Sequence, residues 1–372
     1  LNILKIVYNR IINLLLRVRC LGVYMENRKE ELNIIDTNAQ ASAFGWDFQS
    51  SLALFIVSQN LKDLKSIKVE GKTEDIEISY KNQEMIYIQA KSQRDPYSSS
   101  NTNKHLKDAL KTLINASQTN SYAYLVYGTN IANPFVFQKF STMFSNSPTK
   151  YSFSELPDKI KDKIQSYGLK IAQQEKLDIS NFDVNRLIIR TLPFFGDDDR
   201  TRYRFIKESV TEFLTNIGLS NAQAARVFEN YQLDFAKNPS KSIALEKGDL
   251  TWPIVIFALD PVNDDFFEEF DLDMGEEDAI ENTYSEFIER KSIDFHFINQ
   301  VVQQYRDYLK SKNYTSKRTA PKSFIEEYAN YYEKKIFFSE SNDTSNAVTK
   351  FIIWKILRKI KLIERLDKEV GL

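Results

Sequence analysis

The alternation of apolar and polar positions is clearest between residues 45 and 130. In "GWDFQSSLALFIVSQNLKDL" the apolar residues Phe48, Leu52, Phe55 and Ile56 recur at helical spacing, and Asp47 is available as a cap. "SIKVEG" predicts a short strand. "EDIEISY" sets Ile76 and Ile78 against Asp75, Glu77 and Ser79, and "EMIYIQAK" answers it after a turn at Lys81, Asn82 and Gln83. A polar loop, "RDPYSSSNTN", leads into a helix from about Lys104 to Ala116, and "YAYLVYGTN" predicts a buried strand. Helix, three strands, helix, strand is the order of an α/β (α+β) layer with a mixed sheet flanked by helices.

Beyond residue 150 the pattern turns helical. "SELPDKIKDKIQSYG", "TRYRFIKESVTEFLTNIG" and "NAQAARVFENYQL" predict helices, while "WPIVIFAL" fits either a strand or a buried helix. Residues 264–281 hold ten carboxylates and no base. Such a run reads as an exposed flexible loop, or as a mimic of DNA that covers a basic face. The end of the chain, "VTKFIIWKILRKIKLIERLDKEV", predicts a helix whose apolar face holds Phe351, Trp354, Ile356, Leu357, Ile360 and Ile363. The expected division is a leader at 1–40, an α/β domain at 41–150 and a mostly α-helical domain for assembly or regulation at 151–372.

Residues 1–24 are apolar but interrupted by Lys5, Arg10, Arg17 and Arg19. These charges break the run of about 20 apolar residues that a membrane span needs. The same charges argue against a signal peptide. The stretch is either an amphipathic surface helix or an over-long start, with Met25 as the alternative beginning.

Composition narrows the chemistry. The 372 residues carry a formal net charge of −1, so any site for a polyanion has to be local. A single cysteine, Cys20, excludes an internal disulfide and suits a reducing, cytoplasmic setting. The two histidines, His105 and His296, leave little material for a His/Cys zinc site or a histidine-based triad. Chemistry built from Asp, Glu, Gln and Lys suits an oxygen-ligated Mg²⁺ or Mn²⁺.

The hairpin supplies such a site. A turn centred on Asn82 pairs residues whose numbers sum to 164, so Asp75 faces Gln89 and Glu77 faces Tyr87. Period two then puts Asp75, Glu77, Gln89 and Lys91 on one face, with Ile76, Ile78, Ile88 and Ala90 on the other. Asp75 and the Gln89 amide oxygen are hard donors about one strand spacing apart, and Glu70 and Glu77 are placed to add ligands through water. Lys91 is placed to orient or deprotonate a water, or to stabilise charge on a phosphate. Gln49, on the first turn of the preceding helix, reaches in from above. The competing reading is a solvated sheet face whose charges make cross-strand ion pairs.

The ordered set of these residues resembles the PD-(D/E)xK nuclease superfamily. More closely, it resembles the nuclease domain of bacterial anti-phage effectors, in which a helix beginning G-x-[FY]-Q precedes E-G-x-x-D-I-[DE] and Q-x-K. The corresponding residues are Gly45, Phe48 and Gln49, with one residue more between Gly45 and Phe48 than the pattern has, then Glu70, Gly71, Asp75, Ile76 and Glu77, then Gln89 and Lys91. The likeness spans residues 40–150. It implies a Mg²⁺-dependent endonuclease acting on double-stranded DNA, held in check until partners or oligomerisation release it. Two further departures stand out. Gln89 replaces the commoner carboxylate, and extra spacing after Gly71 leaves Asp75 and Glu77 both open as principal ligand.

Such domains occur in CBASS effectors, which carry a large nucleotide-sensing domain, and in the nuclease subunit of Lamassu systems, which works beside an SMC-type ATPase. The helical remainder here lacks Gly-rich phosphate loops, and so resembles the Lamassu subunit more. That likeness implies an SMC-type ATPase, accessory defence subunits and further copies of the chain as partners, without a membrane. Arg94, Lys104, Lys107 and Lys111 are the candidate contacts to DNA phosphates, or else a solvated basic face. The alternatives are a non-catalytic DNA-binding or scaffold subunit with a degenerate nuclease fold, and a CBASS-type nucleotide-activated nuclease.

Overall fold

The computed structural model describes residues 40–370, except for 83, 260–264, 293, 312–315, 317 and 338–341. The leader and Met25 lie outside the described residues, save Gln40.

A seven-stranded mixed sheet organises the molecule. Its strands are β1 (Leu64–Val69), β2 (Ile76–Tyr80), β3 (Met85–Lys91), β4 (Tyr124–Thr129), β5 (Thr149–Ser152), β6 (Leu187–Thr191) and β7 (Leu245–Glu246), in the order β5-β6-β4-β3-β2-β1-β7. β1, β2 and β3 form an antiparallel meander, β3, β4 and β6 run parallel, and β5 and β7 close the edges antiparallel. Period-two alternation separates two apolar cores. Ile76, Ile78, Ile88, Val126 and Ile188 pack on one face beneath helix α1 (Gln40–Ser58). Tyr87, Leu125, Tyr127, Leu187 and Ile189 pack on the other beneath α2 (Thr102–Thr119) and α3 (Asp158–Glu175).

Helix α1 lies close against the sheet because β4 carries Gly128. A Cβ there would stand 2.4 Å from Leu52 Cδ2. The α1 core continues into a mostly helical region formed by α4 (Arg204–Ile217), α5 (Asn221–Lys237), α6 (Lys247–Leu259), α7 (Phe295–Ser311), α8 (Ala320–Phe337), α9 (Asp343–Arg358) and α10 (Ile360–Val370), with short helical segments between. No helix among the described residues is long and apolar enough to cross a membrane.

Several elements differ from the sequence reading. Helix α1 is already formed at Gln40, the first described residue, since Ala41 and Ala43 favour helix and carry it through Gly45. Asp47 is therefore mid-helix rather than a cap, and Gln49 is past the first turn. Asp47 instead accepts from the Tyr203 hydroxyl at 2.8 Å and lies 3.5 Å from Arg202. "WPIVIFAL" belongs to helix α6, with Leu250, Ile254, Val255 and Ala258 buried. The acidic run is helical over Asp265–Phe270 and Met274–Asp278 rather than a flexible loop. Phe266 pins it, fully buried against Phe351 and Trp354, and Trp354 Nε1 donates to Glu269 at 3.3 Å. The final apolar face is buried within the fold, and Lys359 breaks it into two helices by leaving helical backbone (φ −104°, ψ 8°).

Candidate active site

The hairpin register is the expected one: Ile76 pairs with Ile88, Glu77 with Tyr87 and Ile78 with Ile86. Asp75, just ahead of β2, thereby meets Gln89. Gln89 Nε2 donates to Asp75 Oδ2, and the Ala90 N–H donates to the same oxygen at 2.9 Å. The Gln49 side chain lies close by and favours the charged form of Asp75. Burial pushes the Asp75 carboxyl above its ordinary pKa. The Ala90 N–H and the Lys91 ammonium oppose that rise, and the charge of Glu70 adds to it. Lys91, half-buried at the end of β3, thus stands on the same side as Asp75 and Gln89.

The loop between β1 and β2 brings in Glu74, a residue the motif reading did not assign. Its backbone is closed by Glu70 N–H to Asp75 C=O at 2.7 Å and Gly71 N–H to Glu74 C=O at 3.0 Å, with Glu70 at φ 54°. Glu77 braces the loop from beneath: its Oε1 accepts from the Thr73 N–H at 2.7 Å. Gly71 makes room for that brace, because a Cβ there would lie 2.4 Å from Glu77 Cδ. The result is a Glu74 only 4% exposed, its two carboxylate oxygens shut away without a well-formed hydrogen bond. The adjacent Thr112 hydroxyl is committed elsewhere, donating to Gln89 Oε1 at 2.6 Å. Burial, then the neighbouring Asp75 charge, drives the Glu74 pKa up to about 8, against the pull of Lys91.

Helix α2 flanks the cluster with its His105–Thr112 face. His105 is half-buried, and burial together with the Lys91 charge lowers its pKa. The imidazole is therefore uncharged at neutral pH. Both residues were within reach of sequence reasoning, since seven positions on a helix return nearly to one face.

The other candidates are dispersed around this centre. Glu70 is exposed at the end of β1; its charge acts on Asp75 and Lys68. With Asp47 and Tyr203 it lines a cavity of about 690 Å³ between α1, α4 and α5. Among the proposed DNA contacts, Arg94 lies 3.3 Å from Asp197, Lys107 sits 5.0 Å from the centre of the Tyr167 ring, and Lys111 pairs with Glu175 at 2.8 Å. Lys104 is exposed near His105.

Among the described residues no three His, Cys, Asp or Glu side chains converge as a metal-binding group. The oxygen donors near one another are two carboxylates, Glu74 and Asp75, and the Gln49 amide, whereas Gln89 turns its Nε2 to Asp75 and its Oε1 to Thr112. The buried oxygens of Glu74 and the buried, unbonded Oε1 of Gln49 are the kind of atoms a hard divalent cation satisfies. This donor set fits Mg²⁺ or Mn²⁺ rather than zinc.

No protein-family model and no curated protein sequence matches the chain. Solved structures of partly similar shape include the Acinetobacter baumannii Cap4 SAVED/CARF-domain containing receptor with the cyclic trinucleotide 3'3'3'-cAAA, at TM-score 0.36 and 13% identity, covering 59% of this chain and 48% of that one. The Moraxella osloensis Cap4 SAVED/CARF-domain containing receptor gives TM-score 0.35 and 13% identity over 57% of this chain and 47% of that one. The chain thus spans about half the length of the solved structures it matches. A likeness this shallow transfers neither fold nor activity.

Proposed function

We propose that this protein is a metal-dependent endonuclease that hydrolyses phosphodiester bonds of double-stranded DNA, with the Glu74–Asp75–Gln89–Lys91 cluster as its active site. The observation that carries this reading is a pair of adjacent carboxylates, Glu74 buried without a well-formed hydrogen bond and Asp75 half-buried, beside the Lys91 ammonium. Glu74, Asp75 and the Gln49 amide oxygen would hold the ion, while Gln89, whose oxygen is turned to Thr112, would steady the Asp75 carboxylate through its Nε2. When bound, a Mg²⁺ or Mn²⁺ ion supplies Lewis-acid polarisation of a phosphate and acidifies water. Lys91 orients the attacking water and stabilises negative charge gathering on the phosphate. Thr112 fixes the Gln89 amide, Glu77 holds Glu74 in place through the loop, and uncharged His105 leaves Lys91 as the local cation.

The ordered motifs support an anti-phage effector role in which partner subunits, an SMC-type ATPase among them, or self-assembly release the nuclease. A second reading, a nuclease switched on by a nucleotide, is kept because the same ordered motifs resemble those of CBASS effectors. One assay tests both: supercoiled plasmid and Mg²⁺ with wild type, Asp75→Ala and Lys91→Ala, each alone, with candidate partners, and with a cyclic trinucleotide. Cleavage by wild type that both substitutions abolish is expected. Equal cleavage by all three proteins contradicts the assignment, and stimulation confined to the trinucleotide arm selects the second reading.

A further inference from the structure

On the opposite face of the sheet sits a buried cation that the nuclease reading does not use. Arg190, on β6, is only 8% exposed and faces α1 among hydrocarbon neighbours, Ile188 beside it and Val126 on β4. Its guanidinium lies 5.4 Å from the centre of the Phe55 ring, and Nη2 donates to Gln59 Oε1. The Nε–H is buried without an acceptor. Burial pushes its pKa down to about 10, and the opposing influence is the Tyr80 phenol, itself neutral at physiological pH. The guanidinium is thus charged, largely buried and short of an anion. A lone charge removed from water destabilises a fold unless something balances it.

Arg190 lines a cavity of about 680 Å³, within the size range that takes small organic molecules. Ile88 and Val126 form its apolar floor, Tyr80 and Tyr124 its aromatic walls, and exposed Lys150 on β5 adds a second cation at the mouth. The carboxylates nearby do not answer Arg190. Glu155 accepts from the Ser152 N–H and Oγ at 2.7 Å each. Asp63 and Glu84 are exposed at the rim. An anion is favoured at depth, beside Arg190, while the rim favours hydrogen-bond donors.

We propose that this cavity binds a small organic oxyanion, with a phosphate or carboxylate on Arg190 and a planar body between Tyr80 and Tyr124. The site is separate from the catalytic cluster, since Ile88 and Gln89 point to opposite faces of β3.

Isothermal titration of the full chain with phenyl phosphate, benzoate, inorganic phosphate and phenol tests this. One aromatic oxyanion is expected to bind at unit stoichiometry, roughly tenfold tighter than inorganic phosphate or phenol. Preference between phenyl phosphate and benzoate identifies the anionic group. Arg190→Gln abolishes this binding, Lys150→Ala and Tyr124→Ser each weaken it several-fold, and Asp75→Ala leaves it unchanged. Absence of binding by wild type overturns the proposal, as does undiminished binding by a folded Arg190→Gln protein. Should Arg190→Gln not fold, wild-type affinity in both Lys150→Ala and Tyr124→Ser overturns it instead.

Discussion

Gln89 donates through Nε2 to Asp75 across the β2–β3 ladder, and the same amide is fixed at its other end by Thr112 Oγ1 at 2.6 Å. The Thr112 hydroxyl thereby holds the Gln89 oxygen away from the site and turns its Nε2 to Asp75, so that Gln89 orients a ligand carboxylate rather than ligating. Thr112→Val removes that donor at nearly constant shape. Loss of such an orienting partner lowers metal affinity or activity by roughly 10–100-fold, whereas Thr112→Ser retains both. Plasmid cleavage and Mn²⁺ titration of the two variants check this.

Glu74 makes stability depend on pH. A carboxyl whose pKa rises on folding, here from 4.5 to about 8, holds its proton better folded than unfolded. Its contribution to stability is complete below the unfolded value and is lost as pH rises through the folded one. Urea unfolding in metal-free buffer should therefore show stability falling between pH 5 and 8 by up to about 3 kcal/mol. Glu74→Gln should flatten that dependence and be the more stable protein at pH 8. An unchanged slope in the variant would remove Glu74 from this role.

Gly128 is where α1 touches the sheet. Gly128→Ala forces a methyl onto Leu52, and overpacking of this kind costs about 1–3 kcal/mol. The penalty should shrink in a Leu52→Ala background, because the contested space is then empty. Equilibrium unfolding of the double-mutant cycle measures the coupling.

The basic residues of α2 are not equivalent. Lys111 is paired with Glu175 and Lys107 lies over Tyr167, while Lys104 is exposed. Lys104→Ala should lower the salt dependence of DNA binding by about one phosphate contact. Lys111→Ala should change it less. Equal effects would show that the intramolecular partners give way to DNA.

Much of this arrangement was legible because β-strand alternation is strict. Ile76, Ile78 and Ile88 fix which way the hairpin faces, and the Asp75–Gln89 meeting follows from the register. Glu74 escaped because it lies in a loop, where no period tells a buried carboxylate from a solvated one. Gly71 was the available signal: only the absence of a side chain there lets Glu77 reach the loop. The strands at 149–152 and 187–191 escaped for another reason. "LIIRT" is buried on both faces, so its apolar residues do not alternate with polar ones, and Arg190 disguises it further. The acidic run misled through composition, which hides the few aromatic positions that anchor it.

The central claim is that Glu74 and Asp75, with the Gln49 amide oxygen beside them, form one divalent-cation site next to Lys91. Titration of the purified chain with Mn²⁺, followed by electron paramagnetic resonance of the free ion, measures this without relying on catalysis. One site is predicted in wild type and in Lys91→Ala, and none in Glu74→Gln/Asp75→Asn. Retention of the bound ion by the double variant, or its absence from wild type, would contradict the account.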